Sequence, residues 1–149
     1  MLKGKTVVLG VTDCIAAYKA CEIVSSLKKK GATVIVIMTP HSTEFVQPLS
    51  FETLSGNRVI TDLFDRDFDF EVEHVALAKR ADVFVVAPAT ANTIGKIANG
   101  IADDMLTTTI MACKAPKIIC PAMNTNMYEN ENTTENIARL KKQYLYIIS

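Results

Sequence analysis

Short β-branched strands alternating with amphipathic helical stretches predict an α/β fold: a doubly wound, mostly parallel sheet with helices on both faces. Two runs carry the strand half of that expectation. "KTVVLGV" (5–11) and "ATVIVIMTP" (32–40) are unbroken by acidic or basic residues once under way, as strands covered on both faces must be. No internal repeat, low-complexity tract or linker divides the 149 residues, so one domain spanning 1–149 is expected.

The remaining elements follow in order. "IAAYKACEIVSSLKKKG" (15–31) sets Ile15, Tyr18 or Lys19, Cys21 or Glu22, Ile23 and Leu27 at near-helical spacing. It closes on three lysines and Gly31, a C-terminal charge and cap signature. The acidic run "DLFDRDFDFEVE" (62–73) has six carboxylates and reads as a solvated loop or edge strand. "VALAKRA" (75–81) is a short helix, and "DVFVVAPATANT" (82–93) a strand breaking at Pro88. "ANTIGKIANGIADDMLTTTIMAC" (91–113) is helical with an interruption near Gly100. "PKIICPAMN" (116–124) is a further strand, "TTENIARLKKQ" (133–143) a helix, and "YLYIIS" (144–149) a last strand.

Composition removes several functions. Sixteen basic and sixteen acidic residues cancel, so no broad pull toward nucleic acid or an anionic membrane is expected. Cys14, Cys21, Cys113 and Cys120 form no CxxC pair or zinc spacing. The opening "MLKGKTVVLGV" runs directly into a strand pattern without a secretory leader, and no apolar run reaches the ~20 residues of a membrane span. A reduced, cytoplasmic protein is the expectation.

In open parallel sheets ligands bind beyond the carboxyl ends of the strands. Four such ends, "VTDC", "TPHS", "PATANT" and "PAMN", carry small hydroxyl or amide side chains: Thr12, Thr39, Ser42, Thr90, Asn92, Thr93 and Asn124. Any one of them serves equally as a helix cap; four on one edge suggest a site for a phosphate-bearing cofactor. The dinucleotide GxGxxG and the Walker A patterns are absent, which leaves a mononucleotide such as FMN open.

Three blocks, "GVTDCIAAYKA" (10–20), "HVALAKRADVFVVAPATANTIGKIANGIADDMLTT" (74–108) and "PAMNTNMYEN" (121–130), together resemble the flavin-dependent cysteine decarboxylases. The resemblance covers nearly the whole chain. It implies a Rossmann-like, flavodoxin-like flavoprotein, a homotrimer or trimers of higher order, with FMN at the subunit interface. It implies that Asn124, in PxMNxxM, binds the substrate carboxylate, and that Met127, with Met123, packs around flavin and substrate. His74 matches the active-site histidine assigned to proton handling. Placed just before the "VALAKRA" helix, it would sit at a helix N-terminus, which favours the neutral imidazole.

Cofactor contacts follow by position. Thr12, Asp13 and Cys14 are expected to face the flavin mononucleotide; Thr39 and Ser42 suit phosphate or ribityl contacts. Pro88, Ala89, Thr90, Ala91, Asn92 and Thr93 match the family's flavin loop, and Ala122 is expected to approach the ring. The implied reaction oxidises the terminal cysteine of 4′-phosphopantothenoylcysteine, loses carbon dioxide to leave an ene-thiolate and, with the two electrons returned by the reduced flavin, ends at 4′-phosphopantetheine of coenzyme A synthesis. A peptidyl-cysteine decarboxylase of lantibiotic maturation and a non-catalytic regulatory flavoprotein are the rival readings.

Two departures stand out. Glycine-rich pairs are common in the family where this chain has Asp13-Cys14, and a carboxylate beside a phosphate is unfavourable unless it points away. The family's glycine-rich substrate flap, with its proton-donor cysteine, has no counterpart before Ser149 and is expected to be missing.

Overall fold

The computed structural model describes residues 1–61, 70–143 and 145–148, with the backbone alone for 70–73. The strands are β1 (Thr6–Val11), β2 (Thr33–Met38), β3 (Val83–Ala89), β4 (Lys117–Pro121) and β5 (Tyr146–Ile147). The helices are α1 (Ala20–Lys29), α2 (Pro48–Ser55), α3 (Phe70–Arg80), α4 (Ala91–Ala98), α5 (Met105–Ala112), α6 (Thr125–Glu129) and α7 (Glu131–Lys142). Single 3₁₀ turns, Ile15–Lys19 and Pro40–Glu44, precede α1 and α2.

All strand pairs are parallel and the order is β2-β1-β3-β4-β5. Val8 lies opposite Ile35 on one side and Phe84 on the other. Because side chains alternate along a strand, Val8, Ile35 and Ile37 enter one core layer while Val7, Leu9, Val34 and Val36 enter the other. The first layer is closed by Leu77, Ile94, Leu106, Ile110, Ile137 and Leu140 from α3, α4, α5 and α7. The second is closed by Ala17, Ala20, Val24 and Phe51 from the first 3₁₀ turn, α1 and α2. Burying each of the larger aliphatic or aromatic side chains contributes ~1.5–3 kcal/mol. The doubly wound parallel sheet expected from the sequence is therefore what forms.

Several local expectations are corrected. Ile15 and Tyr18 do not face the sheet; they are 78% and 58% exposed, and Ala17, Ala20 and Val24 are buried instead. The 3₁₀ turn, with three residues per turn, shifts the phase before the α-helix begins. The third strand does not break at Pro88: β3 runs to Ala89, across a register shift against β4 between Val86 and Ala89. A proline lacks the N–H a regular ladder requires, and an irregularity removes that requirement. β4 ends at Pro121, short of the expected 124, and α6 follows. The second 3₁₀ turn and α2 add to the expected elements, and Pro48 at the first helical turn and Gly56 in the left-handed C-cap (φ 74) are the start and stop signals of α2. The interruption near Gly100 (φ 73) falls between α4 and α5 as expected. Of the acidic run, residues 62–69 lie outside the described residues.

Candidate functional site: the carboxyl rim of the sheet

The strand order reverses direction between β1 and β3, and that crevice opens at the carboxyl ends. The four rim segments are bonded to one another there. The buried Thr12 hydroxyl donates to the Pro88 carbonyl at 2.6 Å and accepts the Thr90 N–H at 3.1 Å. The Ala122 N–H donates to the Ala89 carbonyl at 3.0 Å, which ties the β4 end to the β3 end. Cys14 Sγ stands 4.0 Å from the Ala122 carbonyl and receives the Ala16 N–H at 3.4 Å, so it closes the first loop as an N-cap. The Thr39 hydroxyl donates to Asp13 Oδ1.

At the start of α4, Thr90 caps the helix by accepting the Thr93 N–H at 3.2 Å. Ala91 is half-buried, Asn92 exposed, and Pro88 and Ala89 buried beneath them. Ser42 is fully buried, and its hydroxyl donates to the Thr39 carbonyl at 2.7 Å. It builds the turn after β2, so its hydroxyl proton is already engaged.

Asn124 is exposed and caps α6, its Oδ1 accepting the Met127 N–H at 2.9 Å. This commitment of the oxygen leaves the two amide N–H donors for a ligand. Met123 packs partly against the first core layer, whereas Met127 is exposed. Burial pushes the thiols of Cys21 and Cys120 upward from an ordinary 9.0. Cys120, immediately before Pro121 and Ala122, is thus held as a neutral thiol and not as a nucleophilic thiolate.

His74 corrects the expectation made for it. It is the fifth residue of α3, which begins at Phe70, so the helix N-terminus is not its immediate neighbour; dipole effects fade within the first turn. Across the helix layer, α3 packs on α5, α5 on α4, α4 on α7, and α7 on α6. α3, which carries His74, and α6, which Asn124 caps, are thus separate elements of the helix layer.

A cleft of about 310 Å³ opens on this rim, lined by Asp13, Thr39, Pro40, His41, Asn92, Thr93, Lys96, Asp103 and Asp104. Lys96, Asp103 and Asp104 were not singled out in the sequence. The signal was present in "DDMLT", where Asp104 and Thr107 form a capping box that fixes the loop before α5. A hollow of about 300 Å³ between α4, α5 and the start of β4 is instead lined largely by Ile97, Ile101, Ile110 and Met111. Among the described residues no metal-binding cluster of His, Cys, Asp or Glu is found. Neither is there a helix long and apolar enough to cross a membrane. The rim's hydroxyls, amides and capped helix start match the polar chain and phosphate of a flavin mononucleotide.

The flavoprotein family profile matches residues 1–149. A coenzyme A biosynthesis bifunctional protein CoaBC of Bacillus subtilis is 50% identical over 140 residues, 94% of this chain and 34% of that protein. This chain thus spans about a third of the length of that relative. A probable phosphopantothenoylcysteine decarboxylase of Streptococcus mutans is 44% identical over 140 residues, covering 93% of this chain and 78% of that one. Among solved structures, the FMN-dependent cysteine decarboxylase SpaF superposes with a TM-score of 0.93 at 31% identity, over 99% of this chain and 85% of that chain. With the parallel sheet, the bonded rim and a match over its whole length, the chain belongs to the flavoprotein family.

Proposed function

We propose that residues 1–149 act as a single FMN-binding domain that decarboxylates 4′-phosphopantothenoylcysteine in coenzyme A synthesis, towards 4′-phosphopantetheine. The observation that carries this reading is Asn124. Its oxygen is spent on the Met127 N–H, and its N–H donors are presented at the carboxyl end of β4, next to the bonded loops of β1 and β3. The relative named a decarboxylase covers the same span.

Bound FMN would supply a reversible two-electron store for the substrate's cysteine thiol, taking the pair before carbon dioxide leaves and giving it back afterwards, so that the net reaction is redox-neutral. The chain does the rest. The Asn124 amide grips the carboxylate without an opposing full charge, so carbon dioxide leaves without a strong ion pair to break. Thr12, Thr90 and Ala122 hold the three loops in register around the reacting group. His74 accepts or returns a proton at its imidazole nitrogen.

We place His74 and Asn124 in one site through a homotrimer, one copy lending α3 to another copy's β4 end. Support comes from apolar side chains exposed near the rim, Ile15 and Phe45 among them. The free thiols Cys14, Cys21, Cys113 and Cys120 accord with a reducing, cytoplasmic setting.

The likeness to the solved peptidyl-cysteine decarboxylase EpiD, with a TM-score of 0.86 at 26% identity, favours a second reading, decarboxylation of peptides ending in cysteine. Purified protein incubated with 4′-phosphopantothenoylcysteine, and separately with such a peptide, separates the two. Carbon dioxide release and the product mass from the small substrate alone are the expected result. Turnover of the peptide alone supports the second reading, and a protein without a flavin spectrum defeats both.

A further inference from the structure

The first-loop carboxylate that the sequence set against a phosphate has a defined place. Asp13 lines the cleft, held by the Thr39 hydroxyl at Oδ1, with the 85%-exposed side chain of His41 3.8 Å from Oδ2. An ionised carboxylate offers about four acceptor positions, so capacity remains toward the cleft after Thr39 is bonded.

The other acids of the cleft are committed. Asp103 pairs with Lys96 Nζ at 3.0 Å, and Asp104 caps α5 by accepting the Thr107 N–H at 2.8 Å and hydroxyl at 2.7 Å. Lys96 is largely shielded from solvent, at 23% side-chain exposure, and its ammonium has three donors, of which Asp103 takes one. One cleft therefore holds two opposite chemistries. A polyol donates hydroxyls to Asp13 and is not repelled by it. A phosphate dianion is repelled by Asp13 and attracted by Lys96.

We propose that Asp13 and Lys96 sort the polar tail of the cofactor: Asp13 accepts ribityl hydroxyls, and Lys96, beside Asn92 and Thr93, takes the phosphate. This rests on the FMN reading above and extends it to two specificity residues of this chain.

Three flavins read the two contacts separately. Riboflavin lacks the phosphate, and lumiflavin lacks the hydroxyl chain as well. The cofactor-stripped protein is titrated with each, following flavin fluorescence at low salt. Asp13→Ala should raise the FMN-to-riboflavin affinity ratio about tenfold and lower the riboflavin-to-lumiflavin ratio. Asp13→Asn, which keeps an acceptor for Thr39, should give the same rise with a smaller fall. Lys96→Gln should lower the FMN-to-riboflavin ratio about tenfold and leave riboflavin binding unchanged, and both effects should shrink with added salt. An FMN-to-riboflavin ratio that fails to rise in both Asp13 variants, loss of every flavin by both, or an unchanged ratio in Lys96→Gln overturns the proposal. Wild-type protein that binds none of the three flavins defeats the FMN reading itself.

Discussion

Thr12 and Pro88 stand 76 positions apart in the chain, and the Thr12 hydroxyl donates to the Pro88 carbonyl at 2.6 Å while accepting the Thr90 N–H at 3.1 Å. One buried hydroxyl thus joins the ends of β1 and β3 at the crevice where the strand order reverses.

Thr12→Val removes both bonds and keeps the shape. Leaving the Pro88 carbonyl and Thr90 N–H without this partner should cost about 1–3 kcal/mol in urea unfolding. Thr12→Ser restores both bonds and should recover most of the loss. If valine is tolerated at no cost, the rim is not held by this residue.

Asn124→Asp separates capping from binding. The aspartate retains an acceptor for the Met127 N–H, so thermal stability should change by less than about 1 kcal/mol. The amide donors are replaced by a negative charge, and decarboxylation should fall about 10²–10³-fold, the scale for losing a donor to a reacting anion. Equal losses in stability and activity would reduce Asn124 to a helix cap.

Gly10→Ala tests the packing under the rim. A Cβ at Gly10 would meet Leu106 Cδ1 at 2.6 Å and Cγ at 2.9 Å, and Leu106 is fully buried. Such overpacking costs about 1–3 kcal/mol. Trimming the neighbour in Gly10→Ala/Leu106→Ala should give a total loss smaller than the sum of the two single losses. An additive double variant would place the cost elsewhere.

Alkaline stability should follow the two raised thiols. Burial favours the neutral form of Cys21 and Cys120 in the folded chain, so their folded values lie above the ordinary 9.0. Their contribution is fully present below about pH 9 and is lost as pH rises through the raised values. Melting temperatures of wild type and Cys120→Ala, compared from pH 7 to 11, should converge at the alkaline end. Parallel curves would mean that Cys120 ionises as readily in the fold as in the unfolded chain.

The sequence by itself determined the alternation of buried strands with helices, and the hydroxyl and amide residues of the four strand ends, though not Lys96 or Asp103 of the cleft. Both follow from short-range physics: charge-free β-branched runs suit strands covered on two faces, and Thr90, Asp104 and Asn124 are cap formers wherever they start a helix. The "PATANT" and "PAMN" segments were legible for the same reason, and the relation to decarboxylases could be read from them.

Only the tertiary structure decided which residues meet. The phase of the first helix turned on a 3₁₀ turn, the start of α3 lay upstream of His74, and the placement of Lys96 beside Asp103 and in one cleft with Asp13 came from packing α4 and α5 on a parallel sheet. Contacts across tens of residues depend on strand order and helix-layer neighbours, which local propensity does not encode. That is why Thr12 could be recognised as a rim hydroxyl from the sequence, while its bond to Pro88 required the fold.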